Sequence, residues 1–113
     1  MLRKYPQPGL SHNKQTNSAQ SAEALRQIAS FCGQHKLHLI SDEIYANSVF
    51  ENPKAPDPVP FTSVLSLDLA DRIDPRLLHV AYGASKDFCS NGLRLGMLHT
   101  RNQGLQAVLT GTR

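Results

Sequence analysis

Two cysteines in 113 residues are too few and too far apart for a disulfide framework or a zinc site. Cys32 and Cys89 are read as plain thiols of a reducing compartment, and a cytoplasmic location is expected. No apolar run approaches the roughly 18 residues that a membrane helix needs, so no membrane partner is expected. Acids are missing from the first stretch of chain. Residues 1–20 carry Arg3, Lys4 and Lys14 and no Asp or Glu, and these three bases account for the whole formal charge of +3. From Ser21 onward bases and acids balance, so the charge belongs to an arm and is no nucleic-acid footprint. A charged fraction of 19% is too low for a disordered chain, and 40% hydrophobic residues suffice for one small core.

The arm, "MLRKYPQPGLSHNKQTNSAQ", is polar, has no usable period, and reads as flexible. Its basic character suits an organelle transit peptide, but Pro6 and Pro8 would break the amphipathic helix that such peptides form. A helix is expected next. Ser21 is a good N-cap, and Glu23 suits the positive end of the helix dipole. Leu25, Ile28, Ala29 and Cys32 recur at i, i+3, i+4 and i+7 as one apolar stripe, with Gly33 as the stop signal.

Three short strands follow in the reading. "LHLIS" at 37–41 is mostly apolar, as in a sheet covered on both faces. "LLHVAYG" at 77–83 is the second and "LRLGMLHT" at 93–100 the third. The long separation of the first two leaves room for the crossover that parallel strands require, whereas the short link from Gly83 to Leu93 makes the last two antiparallel neighbours or places them side by side through a tight loop. "ENPKAPDPVP" at 51–60 reads as an extended surface loop. "FTSVLSLDLA" is ambiguous between helix and strand, and residues 101–113 read as a helix weakened by Gly104 and Gly111. His35 and His38 are read as surface residues, and His79 and His99 as sheet residues.

In open α/β sheets ligands sit beyond the carboxyl ends of the strands. Asp42 and Tyr45 follow the first strand; Lys86, then Asn91, Gly92 and Arg94, follow the second. A neutral lysine amine can attack an aldehyde, a carboxylate can keep a pyridine nitrogen protonated, and an arginine fork matches a phosphate. That combination describes a pocket for pyridoxal 5′-phosphate (PLP). Each residue also has a plainer reading: Lys86 as a loop lysine, Asp42 as a turn cap, Tyr45 as a half-buried aromatic, and Arg94 as an ion-pair partner of Asp87.

"LHLISDEIYA" and "YGASKDFCSNGLRLG" resemble the two signature segments of the class I and II aminotransferases, the fold-type I PLP-dependent enzymes. The wording is most similar to the aminocyclopropane-carboxylate synthase-like branch. The resemblance runs from about Ser21 to the C-terminus. It implies an α/β fold, part of the large PLP-binding domain, with a mostly parallel sheet, flanking helices and a disordered N-terminal arm over 1–20 outside the match. It implies that Lys86 is the catalytic lysine that holds the cofactor's aldehyde carbon and shuttles the substrate's α-proton. Asp42 would pair with the ring nitrogen, Tyr45 with the phenolic oxygen, and Arg94 and Ser85 with the phosphate. Many members carry a phosphate-binding serine three residues before the lysine, where this chain has Gly83. An Asn-Pro motif is expected just before the matched helix, where the sequence reads "SHNKQTN".

The resemblance further implies an amino-acid substrate, and either transamination or α,γ-elimination from S-adenosylmethionine. It implies a homodimeric parent and places the arginine for the substrate carboxylate in a C-terminal domain beyond the matched segments. The chain is therefore expected to be a fragment of low stability that binds PLP weakly and does not turn over by itself. The alternative expectation is a non-catalytic, degenerate fragment that self-associates or pairs with a full-length relative.

Overall fold

A computed structural model describes residues 20–49 and 60–111. The arm over 1–20 and the proline-rich loop over 51–60 fall, apart from Gln20 and Pro60, outside the described residues. Helix α1 spans Ala22–Gln34 and is capped by Ser21, whose hydroxyl accepts from the Ala24 N–H at 3.2 Å. This satisfies one of the N–H groups that a helix start leaves without a partner. Of the expected apolar stripe, Ala29 and Cys32 are buried, while Ile28 is still 36% exposed.

The helix runs one residue past Gly33, to Gln34, and is closed where Leu37 N–H donates to the Cys32 carbonyl (2.8 Å) and Lys36 N–H to the Gly33 carbonyl (3.2 Å). Lys36 takes the left-handed conformation, φ 52°, that a glycine usually supplies at this position. Gly33 is needed for a different reason. A Cβ built there would lie 1.9 Å from the Arg72 carbonyl oxygen, so only a glycine lets the helix lie against that segment.

The chain then forms β1 (Leu39–Asp42), β2 (Leu78–Gly83) and β3 (Gly96–Thr100) in the sheet order β1-β2-β3. β1 and β2 are parallel, with Leu39 opposite Leu78 and Asp42 opposite Ala81. β2 and β3 are antiparallel, with His79 opposite Thr100 and Gly83 opposite Gly96. Both pairings agree with the link lengths in the sequence. The described sheet is accordingly mixed, with one pairing of each kind in place of the expected mostly parallel one. The chain reverses within a dozen residues after Gly83, too few for a helical crossover.

α1 packs beside the start of β1 and β2 through a small apolar cluster. Ala29 and Cys32 pack with Leu69 and Ile73, and Leu39, Leu67, Leu77 and Leu78 close around them. Burial pushes the Cys32 thiol pKa up, so this cysteine is an inert core group; Cys89 is exposed, and both thiols are free. The ambiguous 61–70 segment resolves into a 3-10 turn at Val64–Ser66 that buries Val64.

On the sheet, His79 is 1% exposed and bridges two elements. Its Nε2 meets His38 Nδ1 at 2.8 Å and its Nδ1 meets Thr100 Oγ1 at 2.7 Å. His38 is thus exposed yet tied to the interior, a link its position in the sequence does not reveal. Helix α3 spans Gln103–Thr110, with Asn102 as its N-cap and Gly111, φ 69°, at its end. Among the described residues no helix is long and apolar enough to cross a membrane.

Candidate functional site at the carboxyl end of the parallel pair

The register sets which residues gather at one end of the sheet. β1 and β2 run in the same direction and finish at Asp42 and Gly83, and β3 starts from that end at Gly96. Residues just beyond Asp42 and Gly83, and just before Gly96, therefore share an edge. These include all five sequence-expected residues: Asp42, Tyr45, Ser85, Lys86 and Arg94.

Asp42 is exposed and shapes its own turn. Its Oδ1 accepts from the Ile44 N–H at 3.2 Å, which leads the chain into a 3-10 turn at Ala46–Ser48. The plainer reading of Asp42 as a turn cap is thus realised through one carboxylate oxygen. Tyr45 immediately precedes that turn and is 49% exposed. Its neighbour Glu43 is buried instead, accepting from Ser41 Oγ (3.1 Å) and from Val64 N–H (3.0 Å).

After β2 the chain enters a single helical turn, α2 (Ala84–Asp87), which carries Ser85 and Lys86. The Ala84 N–H donates to the Leu95 carbonyl at 3.2 Å and fixes the turn to the start of β3. Lys86 is exposed, and its Nζ lies 5.8 Å from the centroid of the Tyr45 ring. That is within the range of a cation–π attraction. Arg94 is exposed in a left-handed conformation, φ 52° and ψ 37°, two residues before β3.

Arg94 does not pair with Asp87. That carboxylate is already engaged: Asn47 N–H (2.9 Å) and Tyr82 OH (3.0 Å) donate to Oδ2, and Ser48 Oγ donates to Oδ1. Asn47 Nδ2 in turn donates to the Tyr82 hydroxyl at 3.0 Å. The hydrogen bond from Ser48 leads the causes that hold the Asp87 pKa below the ordinary carboxylate value. Desolvation, followed by the bond to Asp87, pushes the Tyr82 phenol up. Lys86 and Arg94 have no ion pair among the described residues.

Only Tyr45 and Lys86 are in direct contact; Asp42, Ser85 and Arg94 share the edge without touching them through any described hydrogen bond. Two concavities elsewhere, one around Val64, Leu69 and His99 and one around Lys36, Arg76 and Asn102, are lined by none of the five. The candidate site is thus an open sheet end. Asn47, Ser48, Tyr82 and Asp87 were missed in the sequence. The only local signal is that Asp87 follows Lys86 directly, and nothing in the spacing points to residues some forty positions upstream.

The aminotransferase class I and II family model matches residues 15–112. A mouse 1-aminocyclopropane-1-carboxylate synthase-like protein 1 is 45% identical over 83 residues, covering 74% of this chain and 15% of its own length. A mouse protein named probable inactive 1-aminocyclopropane-1-carboxylate synthase-like protein 2 is 42% identical, over 76% of this chain and 14% of its own. A probable aminotransferase, tcpI, of Claviceps purpurea is 47% identical, over 66% and 17% respectively. The chain therefore spans about one-sixth of the length of the curated relatives it matches. Over that span it belongs to the class I and II aminotransferase family, in the 1-aminocyclopropane-1-carboxylate synthase-like branch.

Proposed function

We propose that this chain carries the PLP-binding segment of an aminotransferase-like enzyme that acts on amino acids. The observation that carries the reading is the state of the charged groups at the sheet end. The acid next to Lys86 in sequence is consumed by Asn47, Ser48 and Tyr82, which leaves the Lys86 amine available beside Tyr45 and the Arg94 guanidinium without an ion pair among the described residues.

The donor set suits the cofactor. When bound, PLP supplies an aldehyde and a pyridinium ring that takes up electrons from the substrate's α-carbon. Lys86 would hold the aldehyde carbon and, once released, would hold or return the α-proton at Nζ. The Asp42 oxygen not used by the Ile44 N–H would keep a proton on the ring nitrogen. The Tyr45 hydroxyl would donate to the phenolic oxygen. Arg94, with the Ser85 hydroxyl, would bind the phosphate, for which a guanidinium fork is well shaped. Gly83 stands where many relatives place a further phosphate-binding serine, so this side of the phosphate has one donor fewer.

Transamination and elimination from S-adenosylmethionine are both compatible with these groups, since neither choice is made by residues at this edge. Calorimetric titration of the purified chain with PLP tests the proposal. Removing a charge-assisted contact costs roughly 1.5–3 kcal/mol, about a 10- to 100-fold loss of affinity. Arg94→Ala and Lys86→Ala should each weaken binding on that scale, and unchanged affinity in both would refute the assignment.

A second reading has its own observation. Leu93, Leu95 and Met97, at and before the edge strand β3, are 72%, 58% and 62% exposed, and Val108 and Leu109 of α3 are also exposed. An unpaired strand edge with apolar side chains favours association with another chain. In this reading the chain is non-catalytic and pairs with itself or with a longer relative. Light scattering across a dilution series, with and without Met97→Lys, checks it: a monomer at every concentration would exclude self-pairing.

A further inference from the structure

We infer that Asp87 is the positioning residue that sets the Lys86 amine against the Tyr45 ring, so that the two approach a bound cofactor as one unit. The inference rests on the reading of Lys86 and Tyr45 as cofactor residues. It adds a residue to which neither the sequence motif nor any contact with the cofactor assigns a role.

Tyr45 and Lys86 sit on separate, short elements with no buried residue, the 3-10 turn after β1 and the single turn of α2. Neither element is long enough to hold its own geometry, because a lone turn fixes several dihedrals for one or two hydrogen bonds. No covalent neighbour joins them. Asp87 does: one oxygen takes the Asn47 N–H and the Tyr82 hydroxyl, and the other takes the Ser48 hydroxyl. Asn47 closes the ring of contacts by donating from Nδ2 to the same Tyr82 oxygen.

Tyr82 is the anchor. It lies on β2, the central strand, opposite Met97 of β3. The carboxylate thus ties the turn behind Tyr45 and the helix under Lys86 to the most constrained part of the sheet. Asp87 is one residue from Lys86, and Asn47 is two residues from Tyr45, so little slack separates the tie from the two side chains it places. Because three donors already engage Asp87, it neither neutralises Lys86 nor competes with a phosphate for Arg94. It holds the site without occupying it.

The test needs no cofactor. Lysines dimethylated with ¹³C-formaldehyde keep their charge and give one methyl signal each, and Lys86→Arg assigns the signal of Lys86. In the parent chain that signal should be displaced upfield of the other lysines by the ring current of Tyr45, and Tyr45→Leu should abolish the displacement. Asp87→Ala should move it to the position of an ordinary exposed lysine, while Asp87→Asn, which can still accept from Ser48, should lose only part. Tyr82→Phe removes the hydroxyl's two bonds, to Asp87 and from Asn47, leaves the ring in place, and should give a partial loss even if Asp87→Ala fails to fold. A displacement that persists unchanged in Asp87→Asn and Tyr82→Phe would overturn the inference.

PLP affinity of the same variants separates this inference from the reading it rests on. A parent chain that shows the displaced signal and binds no PLP leaves the Asp87 clamp standing and removes the cofactor reading. A parent chain that binds PLP through Lys86, with the displacement insensitive to Asp87, does the reverse.

Discussion

Gly33→Ala is a perturbation for which two physical effects predict opposite signs. Helix propensity favours alanine over glycine by about 1 kcal/mol in a helix interior, and the position lies within α1, so propensity alone makes the variant more stable. Packing argues the other way. The new Cβ would stand 1.9 Å from the Arg72 carbonyl oxygen, 2.9 Å from its carbon and 3.1 Å from Ile73 Cα. An ordinary carbon–oxygen contact is about 3.3 Å, so the helix and the 72–73 segment must separate by more than an ångström. All the near atoms are backbone, and no side chain can swing aside. The separation opens the cluster of Ala29, Cys32, Leu69 and Ile73, the core that holds α1 on the sheet. Overpacking of this kind costs roughly 1–3 kcal/mol and sometimes more, so the clash should exceed the propensity gain and leave about 2 kcal/mol of net loss. For a domain of this size that is a fall in Tm of roughly 8–16 °C, read by circular dichroism on a thermal ramp. Gly104→Ala in α3 is the control, because its Cβ would meet nothing nearer than Asn102 Oδ1 at 3.4 Å, and it should be neutral or slightly stabilising. A Gly33→Ala variant as stable as its parent would refute the close approach of α1 to Arg72.

Other perturbations test other parts of the structure. Lys36→Gly relieves a left-handed non-glycine residue at the end of α1 and should raise stability by up to about 1 kcal/mol, measured by urea denaturation. Desolvation, then the neighbouring His38, lowers the His79 pKa, so the folded state prefers the neutral ring. The resulting stability is fully present above the ordinary value of about 6.5 and is lost as pH falls below it; His79→Gln should flatten that part of the stability–pH curve. Glu43→Ala strands the buried Val64 N–H and should cost about 1–3 kcal/mol in the same denaturation assay. Gly83 has extended backbone, and a Cβ there meets only ordinary contacts at 3.5 Å and beyond, so Gly83→Ser should fold normally and bind PLP more tightly than the parent.

The parts of this fold that depend on local chemistry were readable in the sequence. Ser21 announces the start of α1 because its hydroxyl reaches an N–H three residues on, and the link lengths on either side of β2 dictate one parallel and one antiparallel neighbour. The candidate site residues come from the family resemblance, and Asp42, Tyr45, Ser85 and Lys86 lie at or just after the ends of β1 and β2. What stayed hidden depends on distant partners. Gly33 marks the end of α1 to within one residue, but its close approach to Arg72 has no local signal. His38 is exposed as expected, but its link to His79, buried in β2, has none either. Arg94 and Asp87 carry opposite charges at close spacing and invite an ion pair, yet Ser48 and Asn47 reach the carboxylate first. Such pairings are set by the crossover between β1 and β2, which brings the two signature segments together and has no local signature of its own.

Lys86 is proposed as the residue that takes the cofactor. Incubation of the chain with PLP, borohydride reduction and peptide mapping of the pyridoxyl label measures this directly. The expected result is a label concentrated on Lys86 and lost in Lys86→Arg. A label spread over Lys36, Lys54 and the other lysines, or one undiminished in Lys86→Arg, would contradict it.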